Sequence, residues 1–432
     1  MESQKRKKVL IITYYWPPAG GPGVQRVLKF AKYLPEFGWD PIVLTVANGE
    51  YPAIDTSLLK EINPKIKIVK TKTIEFFQLF KFFSQKKKGE NIDTFILDKK
   101  KFNLKDKIFT WIRSNLFIPD ARIGWSTFAV KAGLKIIRDE GIDLMISSSP
   151  PATVQVIANQ INKKTGVKWI ADFRDPWVDA FWEDSINRIP IFQKKFENQE
   201  KAVFDSADFF VTATNSFKEL FTKKYNLSNI ETITNGYDLN DFNKKPNAKY
   251  TPFHKFRISY TGSIAESQNP IKFFKSIKNL PSELKSDLIV DLYGAIDTSV
   301  IQAIDDHSLN EEVSYHGYIS HDQVVEVMSS SNLLILLIPE NRGDIIPGKL
   351  FEYMASGNTI LSLGPRGDAS KIILENNFGN HFDFDEDCSQ FLIDEISKWK
   401  RNPKSQKKTP PKLYSRRNLT KRLACIMDNV LT

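Results

Sequence analysis

The sequence is poor in cysteine: Cys388 and Cys425 are the only two in 432 residues, so no disulfide framework is expected and a reducing cytoplasm is the default. It has no apolar run near the roughly 18 residues that cross a bilayer. The apolar segment behind the charged stretch Met1–Lys8 is only a strand long, so no secretory leader is expected either. Histidine is scarce, with His254, His307, His316, His321 and His381 making the full set, so the first half offers no histidine general base. The dinucleotide-binding fingerprint is missing as well. Gly21-x-Gly23 leads to Arg26 where a third glycine would stand, and no Asp or Glu closes the next strand near Val46, which excludes a nicotinamide dinucleotide.

What remains is an ordinary globular balance, 41% hydrophobic and 26% charged, in a chain long enough for two or three cored domains. The net charge of +10 is unevenly placed. Residues 1–135 hold 25 Lys/Arg against 12 Asp/Glu, an excess of +13, and the rest sums to −3. A basic first third suits an anionic surface such as a bilayer face or nucleic acid, although a charge excess is more often plain solvation.

Strand-like and helix-like stretches alternate. Lys8–Tyr14 is apolar and ends in a Pro/Gly loop, Val24, Val27, Leu28, Ala31 and Leu34 recur at helical spacing, and Pro41–Val46 is the next strand. Strands are expected again at Asp143–Ser147, Lys168–Asp172, Asp208–Thr212 and Ile230–Thr234, with helices such as Ala152–Lys164 and Phe192–Asp205 between them. The second half repeats this with Arg257–Thr261, Leu288–Tyr293, Val313–His316, Leu333–Ile338 and Thr359–Leu363. Such alternation predicts α/β folding with parallel sheets covered on both faces. Asn243–Thr251 and Arg401–Lys412 read as linkers, and Leu413–Val430 as a closing helix.

The most informative stretch is Asp344-Ile-Ile-Pro-Gly-Lys-Leu-Phe-Glu352-Tyr-Met-Ala-Ser-Gly357, directly behind the most apolar run. A Gly/Pro loop here opens a short helix and places Glu352 inside it. Unpaired N–H groups and the positive dipole at a helix start attract phosphate, and a nearby carboxylate accepts hydrogen bonds from sugar hydroxyls. Three motifs in the first half also follow strand ends. Trp16-Pro-Pro-Ala-Gly-Gly-Pro-Gly23-Val-Gln-Arg26 is a tight turn or a loop facing sugar or phosphate. Ser147-Ser-Ser-Pro-Pro151 offers hydroxyls to an acceptor, or simply caps a helix. Asp172-Phe-Arg174-Asp175-Pro-Trp177 combines an Arg able to grip phosphate with a Trp able to stack on a sugar, or else forms a local ion pair.

The Asp344–Gly357 stretch resembles the acidic-x7-acidic signature of family-4 retaining GT-B glycosyltransferases, in a form common among bacterial members that build surface polysaccharides. Asp344 replaces the usual first Glu, one methylene shorter. The opening Tyr14-Tyr-Trp-Pro-Pro, with its glycines, and the turn Thr234-Asn-Gly236-Tyr-Asp238 are similar to the same family. The resemblance implies a GT-B fold, two Rossmann-like domains with parallel sheets facing across a cleft. Residues 1–245 would bind the acceptor, with an insertion over about 48–110. Residues 246–410 would bind the nucleotide sugar, and residues 411–432 would return as a helix to the first domain.

The activity implied is transfer of a sugar, with retention of configuration and without metal or other cofactor. The donor would be a nucleoside-diphosphate sugar and the acceptor a lipid-linked or cell-surface glycan. In this family the leaving phosphate itself is held to assist the acceptor proton. Catalytic roles fall on Asp344, Glu352 and Asp175. Donor binding falls on Gly262, Ser263, Gly317, Ile319, Arg342, Gly348, Lys349 and Leu350. Acceptor binding falls on Gly21, Gly23, Ser148 and Arg174. The basic clamp usual after the Gly262 loop is missing, since Ile264–Asn269 contains no Lys or Arg, and Arg342 and Lys349 are its expected replacements.

Ile74–Phe83, aromatic or aliphatic apart from a narrow polar stripe of Glu75, Gln78 and Lys81 and followed by Lys86–Lys88, reads either as an amphipathic helix on the inner face of the cytoplasmic membrane or as an insertion packed on its own domain. Two other classes stay open. A nucleotide-sugar epimerase uses the same fold but needs acid/base groups not visible here. A non-catalytic carbohydrate- or nucleic-acid-binding protein fits the charge, but the aromatics cluster in one segment instead of interleaving with Lys/Arg along strands, so nucleic acid is not expected as a partner.

Overall fold

The computed structural model describes residues 6–51, 53–74, 111–183, 186–242, 254–403 and 407–432. The aromatic segment beyond Ile74 and the expected linker Asn243–Thr251 lie outside the described residues. The chain divides into two units, Met1–Ile233 with Leu419–Thr432, and Thr234–Asn418.

The first unit is built on strands β1 Lys7–Ile12, β2 Trp39–Val46, β3 Lys67–Thr71, β4 Leu144–Ser149, β5 Lys168–Phe173, β6 Phe209–Thr212 and β7 Ile230–Thr232. They form a seven-stranded sheet in the order β3-β2-β1-β4-β5-β6-β7, with every neighbouring pair parallel. Parallel neighbours need crossovers, which helices supply: α1 Pro22–Tyr33, α2 Ser126–Glu140, α3 Thr153–Thr165, α4 Pro190–Phe204 and α5 Asn215–Tyr225. Val9–Ile12 and Leu144–Ile146 are buried, as strands covered on both faces must be. Within the 48–110 stretch, Lys67–Thr71 is itself an edge strand of this sheet, paired with β2. The strand order reverses between β1 and β4, and ligands of such sheets bind beyond the carboxyl ends at that reversal.

The second unit repeats the plan with β8 Phe256–Thr261, β9 Leu288–Tyr293, β10 Val313–Gly317, β11 Leu333–Leu337, β12 Thr359–Leu363 and β13 Gly379–Phe382. Its six-stranded sheet has the order β10-β9-β8-β11-β12-β13, again parallel, with the reversal between β8 and β11. Its helices are α6 Ile271–Lys278, α7 Ser282–Lys285, α8 Thr298–Asp306, α9 His321–Ser330, α10 Lys349–Ser356, α11 Asp368–Glu375 and α12 Ser389–Arg401. Side chains of β11 point alternately to two cores. Leu333, Ile335 and Leu337 join one cluster, and Leu334 and Leu336 join the other with Leu350, Phe351, Tyr353 and Met354 of α10. A last helix, α13 Arg416–Leu431, adds Leu419, Leu423, Ala424, Ile426 and Met427 to the core of the first unit. Both units are Rossmann-like α/β folds. Among the described residues no helix is long and apolar enough to cross a membrane.

Candidate functional site

In the second unit the loop leaving β11 and the loop leaving β8 meet at the strand-order reversal. α10 begins behind Pro347, with Gly348 in helical conformation at its cap, and stops at Gly357, whose φ of 75° suits a residue without Cβ. Leu350, Phe351, Tyr353 and Met354 are buried, which fixes the helix and leaves Lys349 and Glu352 on its half-buried side. Lys349 reaches back across the Gly262 loop. Its Nζ lies 3.5 Å from the Tyr260 hydroxyl and 4.8 Å from the centre of the Tyr260 ring. That hydroxyl donates to the Ser263 carbonyl at 2.8 Å, leaving its lone pairs to face the ammonium. A Cβ added at Gly262 would overlap Lys349 Nζ, so only glycine admits this approach.

Burial lowers the Lys349 ammonium from 10.5 to about 8, opposed by the neighbouring Glu352 carboxylate. Beneath it, the buried Tyr353 hydroxyl lies 3.2 Å from Thr261 Oγ1, and burial pushes its pKa up to about 12. Burial raises the Tyr260 phenol too. Neither phenol is a base at neutral pH; they position Lys349 and the Gly262 turn.

Arg342 and Asp344, expected in separate roles, form a pair: Arg342 Nε donates to Asp344 Oδ1 at 2.9 Å. Their loop is welded to the loop after β12, because Asp368 N donates to the Gly343 carbonyl at 3.1 Å and a Cβ on either Gly343 or Gly367 would strike backbone. Leu350 was expected to offer its amide to phosphate, but that amide donates to the Pro347 carbonyl at 3.0 Å and its side chain lies in the core. Ser263 is exposed. Gly317, at φ 69°, accepts from Gly294 N at 2.7 Å, and Gly294 in turn abuts the Gly262 carbonyl, so the three turns form one rim. Beside it Ile319 is half-buried, and His316 stacks on Tyr293 at 4.6 Å while its Nε2 meets Asp291 Oδ1 at 2.6 Å.

In the first unit, Arg26 explains the failed dinucleotide fingerprint. It is fully buried and grips Asp172 with two hydrogen bonds, Nε to Oδ2 at 3.0 Å and Nη2 to Oδ1 at 2.7 Å. A third bond runs from Nη1 to the Ile233 carbonyl at 2.7 Å. Ser148, expected to face an acceptor, is buried and donates to Asp172 Oδ2 at 2.6 Å. Ser147 and Ser149 are also buried, bonded to Gln155. These hydroxyls are spent inside the fold. Trp177, expected to stack on a sugar, instead packs edge-on against Phe196 and is buried.

Gly23 and Arg174 are brought together, since a Cβ at Gly23 would overlap the Arg174 guanidinium. Asp175 is half-buried and electrostatically coupled to Arg174, and Gly21 is exposed at φ 103°. Sequence reasoning missed Tyr15, whose hydroxyl bonds to Arg122 and whose pKa burial raises. It also missed Tyr260 and Tyr353 as supports of Lys349. The signal for Tyr260 was its place near the strand end, two residues before Gly262; the Arg122 contact had none.

Comparison with known proteins gives one family-model match and a set of similar folds. Residues 241–414 match the family model described as Glycosyl transferases group 1, so the second unit carries the pattern of that domain. No curated protein matches the sequence. In fold, the chain is similar to Anabaena HepE solved in complex with UDP, at 12% identity and a TM-score of 0.59 over 98% of each chain. It is similar to a glycosyltransferase from Rickettsia africae ESF-5 at 15% identity and 0.55, covering 99% of this chain and 95% of that one. It is also similar to WaaG, a glycosyltransferase involved in lipopolysaccharide biosynthesis, at 13% identity and 0.54, covering 97% and 99%. The fold is therefore GT-B.

Proposed function

We propose that the chain transfers a sugar from a nucleoside-diphosphate sugar, bound by the second unit, to a glycan or lipid-linked acceptor bound by the first, with retention of configuration. The observation that carries this reading is the placement of Lys349. An ammonium in the first turn of α10, lodged against Gly262 at the β8–β11 reversal, is a diphosphate clamp where the loop after β8 has no basic residue of its own. The match of residues 241–414 to a glycosyl transferase domain and the UDP in the HepE structure support the same reading.

In this reading the Lys349 ammonium and the positive dipole end of α10 stabilise the charge that develops on the departing diphosphate. Glu352, one turn further on, accepts hydroxyls of the donor. Asp344, braced by Arg342, fixes the entry of the loop. Incubating the protein with UDP-, GDP- and ADP-sugars and a glycan acceptor tests it. Release of nucleoside diphosphate that depends on one sugar nucleotide is expected. Absence of both binding and release across the panel would remove the assignment.

A further inference from the structure

Five large apolar side chains of the first unit face solvent together. Trp111, Leu116, Phe181, Ile189 and Ile191 are each between 40% and 71% exposed. Single exposed apolar residues are ordinary, whereas a cluster marks a surface that meets something apolar. Hydrogen bonds hold these five in one place. The Ile189 amide donates to Asn115 Oδ1 at 2.8 Å, and Arg188 Nε donates to the Ser114 carbonyl at 3.0 Å, which fastens the start of α4 to the helical residues 111–116. Asn115 Nδ2 donates in turn to the Trp111 carbonyl at 3.0 Å. Arg188 also pairs with Glu183, which draws in the turn that carries Phe181. Ser114 and Asn115 are buried, so the patch is fixed from beneath and its exposed tips are not needed for its shape.

The charge around the patch is mostly of one sign. Residues 111–117 and 186–196 contain Arg113, Arg188, Lys194 and Lys195 and no Asp or Glu. Glu183 and Asp184, just ahead of the second segment, still leave an excess of +2. Glu183 is engaged by Arg188, and the first acid on α4, Glu197, stands in the second turn and accepts from Gln193 Nε2 at 2.7 Å. Lys194 and Lys195 are exposed, and their long stems let the ammonium groups sit at the rim of an apolar surface. Apolar tips ringed by cations match the boundary between acyl chains and anionic headgroups. They do not match a second copy of this chain, because a two-fold contact would set these cations against themselves.

We infer that the first unit docks on an anionic lipid bilayer through this patch, with Phe181, Ile189 and Ile191 entering the acyl boundary and Lys194 and Lys195 meeting the headgroups. The surface is distinct from the aromatic segment Ile74–Phe83. The connection that ends in it begins behind β5 with Arg174 and Asp175, so docking brings those two residues toward the membrane, where a lipid-linked acceptor would present its sugar. The word acceptor rests on the transferase reading above; the docking does not.

Co-sedimentation of the full chain with vesicles of phosphatidylcholine alone, and of phosphatidylcholine mixed with phosphatidylglycerol, tests this. The native chain is expected to partition onto the mixed vesicles, less onto the neutral ones, and less as salt rises. Phe181→Ser with Ile191→Ser is expected to lower the partition by about tenfold or more. Lys194→Gln with Lys195→Gln is expected to lower it by about tenfold on the mixed vesicles only. Thermal unfolding shows which variants fold, and if the serine pair does not, the glutamine pair carries the test. Nucleoside-diphosphate affinity should be the same in all of them. Partition that is absent in the native chain, equal on the two kinds of vesicle, or unchanged in the folded variants overturns the proposal. So does a native dimer that the serine pair converts to monomer without any vesicle binding. Vesicle binding that the serine pair abolishes, in a chain that binds no nucleoside diphosphate, would keep the patch and remove the transferase reading. Nucleotide binding without vesicle binding would do the reverse.

Discussion

The Nζ of Lys349 occupies the volume that a methyl group on Gly262 would fill. One residue's missing side chain is the condition for the other's position. Gly262 also sits at φ 142°, where L-residues are strained. Gly262→Ala should therefore cost roughly 1–2 kcal/mol of stability and displace the ammonium. We expect nucleoside-diphosphate affinity to fall by about tenfold or more, measured by titration calorimetry. Full affinity in a folded Gly262→Ala protein would show that Lys349 does not hold the diphosphate.

Protonation of Lys349 should be visible in binding. Its folded value of about 8 lies below the ordinary 10.5, so the free protein carries the full charge only below pH 8. A bound diphosphate favours the ammonium and raises its pKa. Binding should then take up a proton above pH 8, and affinity should fall as pH rises. Calorimetry at pH 8.5 in two buffers of different ionisation enthalpy measures the uptake. Lys349→Arg should abolish it, and equal heats in the two buffers for the native protein would refute the clamp. For stability the sign is opposite: the burial penalty on the charged form is fully present below about pH 8 and is relieved as pH climbs towards 10.5, so this contribution to stability rises with pH.

Glu352→Gln keeps shape and removes charge on the half-buried side of α10. Transfer should drop by roughly a hundredfold or more, with thermal unfolding unchanged, because the neighbours Phe351 and Tyr353 hold the helix from the other side. A turnover number equal to that of the native protein would take Glu352 out of the site.

Arg26→Met leaves Asp172 as a buried carboxylate that keeps the Ser148 hydroxyl but loses its two-pronged partner. Removing one member of such a pair costs about 3–5 kcal/mol. Urea unfolding of the first unit should reveal the loss as a lowered midpoint, while nucleotide affinity in the second unit stays as it was. A shift worth less than about 1 kcal/mol would mean that the pair is replaceable.

The sheets were legible where strands are apolar runs. Leu333–Ile338 was expected and Leu333–Leu337 is found; Arg257–Thr261 was expected and Phe256–Thr261 is found. The edge strands β3 and β13, Lys-Ile-Val-Lys-Thr and Gly-Asn-His-Phe, gave no such signal because an edge is half solvated and need not be apolar. The α10 loop was legible through its glycine, proline and lysine. The fates of polar groups in the first unit were not. Ser148 stands at a strand end, as a ligand-facing serine would, and nothing local shows that Asp172, 24 residues on, will take its hydroxyl. Arg26 and Asp172 are 146 residues apart, and only the folded sheet makes them neighbours.

The helix Arg416–Leu431 has a consequence for how the chain comes into being. Leu419, Leu423 and Met427 plug the same interior as Trp39 and Val27, and Asp428 holds Lys7 at 2.7 Å and the Trp39 indole at 3.2 Å. A ribosome delivers residues 7–233 long before that plug. The earlier-made body must wait, its hydrophobic seam open, until the whole of the other has been synthesised, so the order of emergence and the order of completion run opposite to each other.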